Sequence, residues 1–294
     1  MDPVIEVRNL AHTYNRHTVY SDLNFSLPRG KVFGLLGKNG VGKTTLIKIL
    51  MGFLRPQAGR VRVFGEDAHN LSPATRARIG LLFEGHLAYE FLTIAQIERF
   101  YAPFYPKWNR DVYYDLVGRL RLPVTHKIGA MSCGQRSQVV LGLIMAQQPD
   151  LLLLDDYSMG LDAGYRRLFL DYMREYLEGE QRTVLLTSHV IQDLDGFVDE
   201  VIFLERGGRL RMTSLREFRS SFQCYRLPAP WSGEVRSGGI IKNVEIHAAY
   251  LDVFSFAGLD AVRSELESQG VDSAKLTPVS MSLEDAFIGY TGRY

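Results

Sequence analysis

Cysteine is nearly absent from the chain, with Cys133 and Cys224 the two examples among 294 residues. That number excludes a disulfide framework; neither thiol is expected to ligate a metal, and a reducing compartment suits the composition. No sign of charge dominates either, since 34 Lys plus Arg stand against 33 Asp plus Glu. Such a balance supplies no basic field for non-specific polyanion binding, so no nucleic-acid partner is expected. No apolar run approaches the ~20 residues needed to span a bilayer. Met1-Asp2-Pro3 also lacks the basic and apolar regions of a secretory signal. The expectation is a cytoplasmic chain, soluble by itself, whose membrane role comes through a partner.

What is present begins with Gly37-Lys38-Asn39-Gly40-Val41-Gly42-Lys43-Thr44, which fits G-x-x-x-x-G-K-[ST]. It lies between an apolar strand-like segment, Val32 to Leu36, and a helix-like one from Thr45 to Met51. Glycines let backbone N–H groups close around phosphates, Lys43 reaches the β and γ phosphates, and the Thr44 hydroxyl can ligate Mg²⁺ at a helix N-terminus. Strand, loop and helix in that order mark a nucleoside-triphosphate site.

Short strands are predicted at Val4–Val7 and Asp22–Leu27 around a turn-rich stretch, then at Lys31–Leu36, Arg60–Phe64 and Ile79–Phe83. From Thr93 to Gln147 the pattern is mostly helical, broken by Pro103, Pro106 and Pro123. Leu151–Leu154, Thr183–Thr187 and Val201–Leu204 read as strands and Tyr165–Leu177 as a helix, an alternation that implies a mostly parallel sheet under helices. Past Phe222 the chain becomes Gly and Ser rich at 232–239, and then suggests a strand at Ala249–Phe256 and helices at Ala261–Ser268 and Ser282–Ile288.

Hydrolysis needs a carboxylate to organise Mg²⁺ and a group to position the attacking water. Leu151-Leu152-Leu153-Leu154-Asp155-Asp156 offers both: Asp155, at the end of a buried strand, for the metal through water, and Asp156 for the nucleophile.

With those residues in place the chain resembles the ATP-binding subunits of ABC transporters over about residues 4 to 215. Tyr14 lies where the family places an adenine-stacking ring, and Met131-Ser132-Cys133-Gly134-Gln135 where its signature falls. Gly160-Leu161-Asp162 corresponds to the D-loop, His189 to the switch histidine and Glu84 to the Q-loop position. Tyr14 alone would be a packing residue and His189 alone a half-buried histidine; the family order reverses both judgements. The resemblance implies an α/β P-loop NTPase of ABC type, with a mixed-sheet core, a helical subdomain at about 88–147 and a small C-terminal α/β appendage. The nucleotide domain is expected at 1–222 and the appendage at 223–294. It also implies ATP and Mg²⁺ as cofactors, with Thr44, Asp155 and Glu84 near the metal. Head-to-tail pairing is implied as well, in which Ser132, the Gly134 N–H, Gln135 and Asp162 of one chain complete the site of another.

The family's catalytic glutamate is Asp156 here, and its Q-loop glutamine is Glu84. An aspartate is one methylene shorter, and a carboxylate displaced by about 1 Å can cost on the order of 100-fold in rate, so slow hydrolysis is expected. Glu84 either helps hold metal or repels nucleotide, according to its protonation. Cys133 replaces a signature glycine while Ser132, Gly134 and Gln135 remain.

The stretch Phe104-Tyr105-Pro106-Lys107-Trp108-Asn109 and the ending Ser282-Leu283-Glu284-Asp285-Ala286-Phe287-Ile288 look like those of ABC-2-type export ATPases. That implies a separate polytopic membrane permease, a second ATP-binding subunit, and a peripheral place on the inner face of the cell membrane. The leading expectation is the energising subunit of an exporter. Asp156 and Glu84 motivate another, a regulatory or weakly active half of a heterodimer. A soluble mechanical ATPase fits less well, since the chain has one nucleotide module and no long heptad run.

Overall fold

The computed structural model describes residues 2–83, 89–159 and 161–292. The chain divides by internal contact into Met1–Met212 and Thr213–Tyr294. In the first unit the elements run β1 (Ile5–Tyr14), β2 (His17–Leu27), β3 (Val32–Leu36), α1 (Lys43–Leu50), β4 (Ala58–Val63), β5 (Glu66–Asp67), α2 (Pro73–Arg76) and β6 (Ile79–Leu82). Next come α3 (Ile94–Tyr101), α4 (Arg110–Gly118), α5 (Cys133–Ala146), β7 (Leu151–Leu154), α6 (Ala163–Leu177), β8 (Thr183–Leu186), β9 (Glu200–Leu204) and β10 (Leu210–Ser214), the last of which runs across the division at Met212.

Among the described residues the first unit forms two sheets, one in the order β2-β1-β4-β5 and one in the order β10-β9-β3-β8-β7-β6. In the second sheet β3 runs parallel to β8 and β9, and β7 parallel to β6 and β8. Strands covered on both faces read as continuous apolar runs, and the four leucines of β7 are fully buried. The C-terminal ends of β3, β7 and β8 therefore lie side by side, where open parallel sheets present their ligands.

The antiparallel sheet departs from the expected short strands. β1 and β2 continue through the stretch expected to be turn-rich, joined by Asn15 in the left-handed region at φ 51°. Register shifts interrupt the pairing between Val7 and Leu10, Leu10 and His12, and His12 and Thr13. Bulges of this kind break the period-2 alternation by which a strand is recognised, and one of them carries Asn9 at φ 49°.

Helices α3, α4 and α5 pack on their own apolar cluster, with Ile97, Tyr113, Ile128 and Val139 fully buried. Each starts at a side-chain cap: Thr93 and Ser132 form reciprocal capping boxes, and Asn109 Oδ1 accepts from the Asp111 and Val112 amides.

The second unit holds α7 (Leu215–Ser221), β11 (Gln223–Pro228), β12 (Ile241–Ile246), β13 (Tyr250–Ser255), α8 (Leu259–Ser268), β14 (Thr277–Val279) and α9 (Leu283–Thr291). Its antiparallel sheet runs β12-β13-β11-β14. The division falls ahead of Phe222, where the composition shift had suggested it, because α7 packs with the C-terminal elements: the Phe218 ring stacks on Phe222 at 5.3 Å and meets Tyr290 edge-on at 6.0 Å. Strands β11, β12 and β14 were not expected. Arg226 and Asp252 pair across β11 and β13 through two hydrogen bonds of 2.7 and 2.8 Å, so charged residues occupy positions that a strand pattern would fill with apolar ones. Burial pushes the Cys224 thiol on β11 up to about 12.

Candidate functional site

The loop from Gly37 to Gly42 takes its shape from contacts that only glycine permits. Gly42, at φ 112°, is the residue that opens α1, and a Cβ there would meet Val19 Cγ1 at 2.5 Å and the Tyr20 hydroxyl at 2.6 Å. At Gly37 a Cβ would meet the Leu204 carbonyl oxygen at 2.6 Å. No side chain caps α1, so its first-turn N–H groups are left for a ligand at the positive end of the helix. Lys43 Nζ donates to the carbonyls of Gly37 at 2.7 Å and Lys38 at 3.2 Å, lying across the loop. Burial holds its pKa below the ordinary lysine value, partly opposed by Asp155 and Asp156. A bound phosphate would supply the countercharge that burial calls for.

A cavity of about 450 Å³ opens at this loop. Asn39, Gly40, Gly42, Lys43, Thr44 and Thr45 line one side, and Asp155, Asp156, Thr187 and His189 another. Tyr14, His17 and Val19 form its outer wall; Tyr14 is 43% exposed and meets the His12 ring edge-on at 4.7 Å. An exposed ring at a cavity mouth is suited to stacking on a planar base.

Both carboxylates are buried and are set by the next strand. Thr187, just past β8, donates from Oγ1 to Asp155 Oδ1 at 3.0 Å and accepts the Asp156 amide at 2.7 Å. Asp156 sits in the left-handed region at φ 48°. Its Oδ1 accepts from Ser158 Oγ at 3.0 Å, and its Oδ2 lies 3.3 Å from His189 Nε2. Ser158 and Ser188 are themselves linked at 3.0 Å, so the residues before His189 and after Asp156 share one polar network.

Residues 20–158 match the family model described as ABC transporter. Over 296 residues the chain is 29% identical to the fluoroquinolones export ATP-binding protein MT2762 of Mycobacterium tuberculosis, covering 99% of this chain and 94% of that one. It is 28% identical to the Nod factor export ATP-binding protein I of Rhizobium johnstonii, covering 100% and 96%. Along nearly its whole length the chain is therefore similar to ABC transporter ATP-binding proteins. A solved ATP-binding subunit of an ABC transporter shares the fold at a TM-score of 0.65 and 24% identity, over 74% of this chain and 92% of that one. So does the ATP-binding cassette MJ0796, in a dimeric post-hydrolysis state bound to ADP and Pi, at 0.63 and 21%, over 72% and 99%. The chain is an ATPase, and the lining of the cavity has the groups that a nucleoside triphosphate calls for.

Gly37, Lys38 and Val41 belong to the loop without lining the cavity, and the signature residues and Asp162 lie elsewhere in the chain. Ser132 starts α5, where its hydroxyl oxygen accepts from the Gln135 amide at 3.3 Å while Gln135 Oε1 accepts from the Ser132 amide at 3.0 Å. Gly134 is buried against α6, with room for no Cβ beside the Tyr165 ring. Asp162 caps α6, accepting from the Tyr165 amide at 2.9 Å. None of these lines the cavity of its own chain. Glu84 and Gly160 lie outside the described residues.

The hydroxyl of Thr44 and the carboxylate of Asp155 on one cavity are hard oxygen donors. Two such ligands suit Mg²⁺, which keeps several waters and takes phosphate oxygens for the rest. His17, Val19, Thr187 and Ser158 were not expected from the sequence. Their roles follow from the β1–β2 hairpin and from the β7–β8 pairing, which no local motif reports.

Proposed function

We propose that this chain is the energising subunit of an ABC exporter, closing head to tail on ATP and opening after hydrolysis. The observation that carries the reading is a cavity holding the phosphate loop, the paired carboxylates and His189, while Ser132, Gly134, Gln135 and Asp162 lie outside it. A nucleotide bound there lacks the signature contacts unless another subunit brings them. Lys43 and the α1 amides bind the β and γ phosphates, and Tyr14 stacks on adenine. Thr44 and Asp155 hold Mg²⁺, which supplies charge neutralisation on the phosphates, with Glu84 a further contributor. Asp156 orients the attacking water with His189 beside it, and its short side chain makes turnover slow.

The membrane side of the reading draws on the relatives named for export, which align over nearly the whole chain. No helix among the described residues is long and apolar enough to cross a membrane. A polytopic permease therefore provides the channel and holds this subunit peripherally on the inner face of the cell membrane. Tyr89, Phe91, Phe100 and Phe104 are exposed and in mutual edge contact on the helical part of the first unit, an aromatic surface of the kind that anchors a partner helix. A weakly active half of a heterodimer is the second reading, favoured by Asp156.

Affinity capture of the tagged chain from native membranes in mild detergent, with and without ATP, tests the assignment. Recovery of a polytopic membrane protein is expected, with a second ATPase subunit appearing only under the second reading. Repeated recovery of soluble partners alone would overturn the exporter assignment.

A further inference from the structure

Tyr157 follows Asp156 directly, yet its side chain turns into the interior, fully buried and stacked on the Phe169 ring at 4.7 Å and 19°. Its hydroxyl donates to Asp193 Oδ2 at 3.3 Å. Asp193 lies in the short 3-10 turn Ile191–Leu194 that comes after His189. The same carboxylate oxygen accepts from Arg166 Nε at 2.7 Å. Arg166 stands in the first turn of α6, the helix that Asp162 caps, and its Nη1 donates to the Leu161 carbonyl at 3.2 Å. Three loops that carry Asp156, His189 and Asp162 thus converge on a single carboxylate outside the nucleotide cavity.

We propose that Asp193 is a positioning residue for ATP hydrolysis, locking the Asp156, His189 and Leu161–Asp162 segments into one unit so that they move together. The inference rests on the ATPase reading of the cavity. Asp193 and Arg166 keep about a fifth of their side-chain surface exposed, 20% and 21%, so the pair is shielded from full solvent screening. Burial raises the Tyr157 phenol well above the usual tyrosine range, which keeps its proton in place as a donor. With the anchor intact, a displacement of His189 is transmitted to the D-loop, which in a head-to-tail pair faces the other chain. Without it, each segment relaxes separately, and Asp156 and His189 lose their mutual setting while nucleotide contacts remain.

The test uses the full chain with Asp193→Ala, Asp193→Glu, Arg166→Gln, Asp193→Ala/Arg166→Gln and Tyr157→Phe, measuring steady-state kcat and KM, displacement of a fluorescent ATP analogue, and thermal melting. Asp193→Ala should lower kcat about ten-fold, a loss in keeping with sub-ångström misplacement of a reacting group, with KM and nucleotide affinity within about two-fold of wild type. Arg166→Gln should match it, the double variant should be no worse than either, and Asp193→Glu should recover most of the rate. Tyr157→Phe keeps the ring stack and loses one donor, so a fall of about three-fold is expected; it carries the test if Asp193→Ala does not fold. Unchanged kcat in Asp193→Ala, additive losses in the double variant, or parallel changes in kcat and KM would overturn the linkage. Wild-type turnover no higher than that of Lys43→Ala would instead overturn the ATPase reading on which it stands.

Discussion

Asp156 has two demands on it that pull in opposite directions. Its backbone lies in the left-handed region, which aspartate tolerates better than glutamate, and Ser158 and His189 stand near its two carboxylate oxygens. Its reach is one methylene shorter than that of a glutamate at the same position. The left-handed conformation costs roughly 1–2 kcal/mol for a residue that does not favour it, and part of that cost is already present with aspartate. A carboxylate about 1 Å nearer to the attacking water is worth up to 100-fold in rate, or more than 2 kcal/mol in the barrier, so reach outweighs strain. Asp156→Glu should therefore raise phosphate release at saturating MgATP by about ten-fold or more, above a Lys43→Ala background, while lowering stability to heat by less than about 1 kcal/mol. An unchanged kcat would show that Ser158 and His189 already place the shorter side chain where the water needs it.

At the scale of elements, helix α5 combines a start closed by the Ser132–Gln135 capping box with a flank that tolerates no added volume. A Cβ on Gly134 would lie 2.4 Å from Tyr165 Cδ2, closer than side chains ever pack, and the partly buried ring of Tyr165 has to move to admit it. Gly134→Ala should cost about 1–3 kcal/mol by denaturant unfolding, and adding Tyr165→Ala should relieve the part due to overpacking. Equal stability of Gly134→Ala and wild type would mean that α5 and α6 are looser than the geometry states. The position of such elements was legible where the signal is local. β3, the glycine loop and α1 follow from a run of consecutive residues, and β7 from four leucines with an aspartate after them. The β1–β2 hairpin was not legible to its full length, because its bulges break the alternation. β11 and β12 hid behind Arg226, Glu245 and other polar residues, whose pairing across strands a single sequence does not display. The same limit applies within the site. Lys43, Thr44, Asp155 and His189 sit in recognisable motifs, whereas Thr187 matters through one hydroxyl that reaches both Asp155 and the Asp156 amide from a neighbouring strand.

At the scale of the whole molecule, the proposed head-to-tail pairing divides each nucleotide site between two separate places on the chain. Lys43 belongs to the cavity, and Ser132 stands at the exposed start of α5, outside it. If two copies pair head to tail, a Lys43→Ala chain retains a sound signature and a Ser132→Arg chain a sound phosphate loop. Neither variant alone can form one complete site, since every site in a pure sample contains the damaged half. Mixed in equal amounts, half of the random dimers contain both variants, and each of these has one site with both halves intact. Each variant alone should therefore show turnover near background, and the mixture should recover about a quarter of the wild-type rate per chain if sites act independently, or less if one intact site cannot fire without the other. The fluorescent-analogue affinity of Ser132→Arg should stay within about two-fold of wild type, because its own cavity is untouched. A mixture that stays at background, together with a wild-type chain that forms no ATP-dependent dimer in solution, would rule out pairing of identical chains and transfer the missing signature to a different subunit.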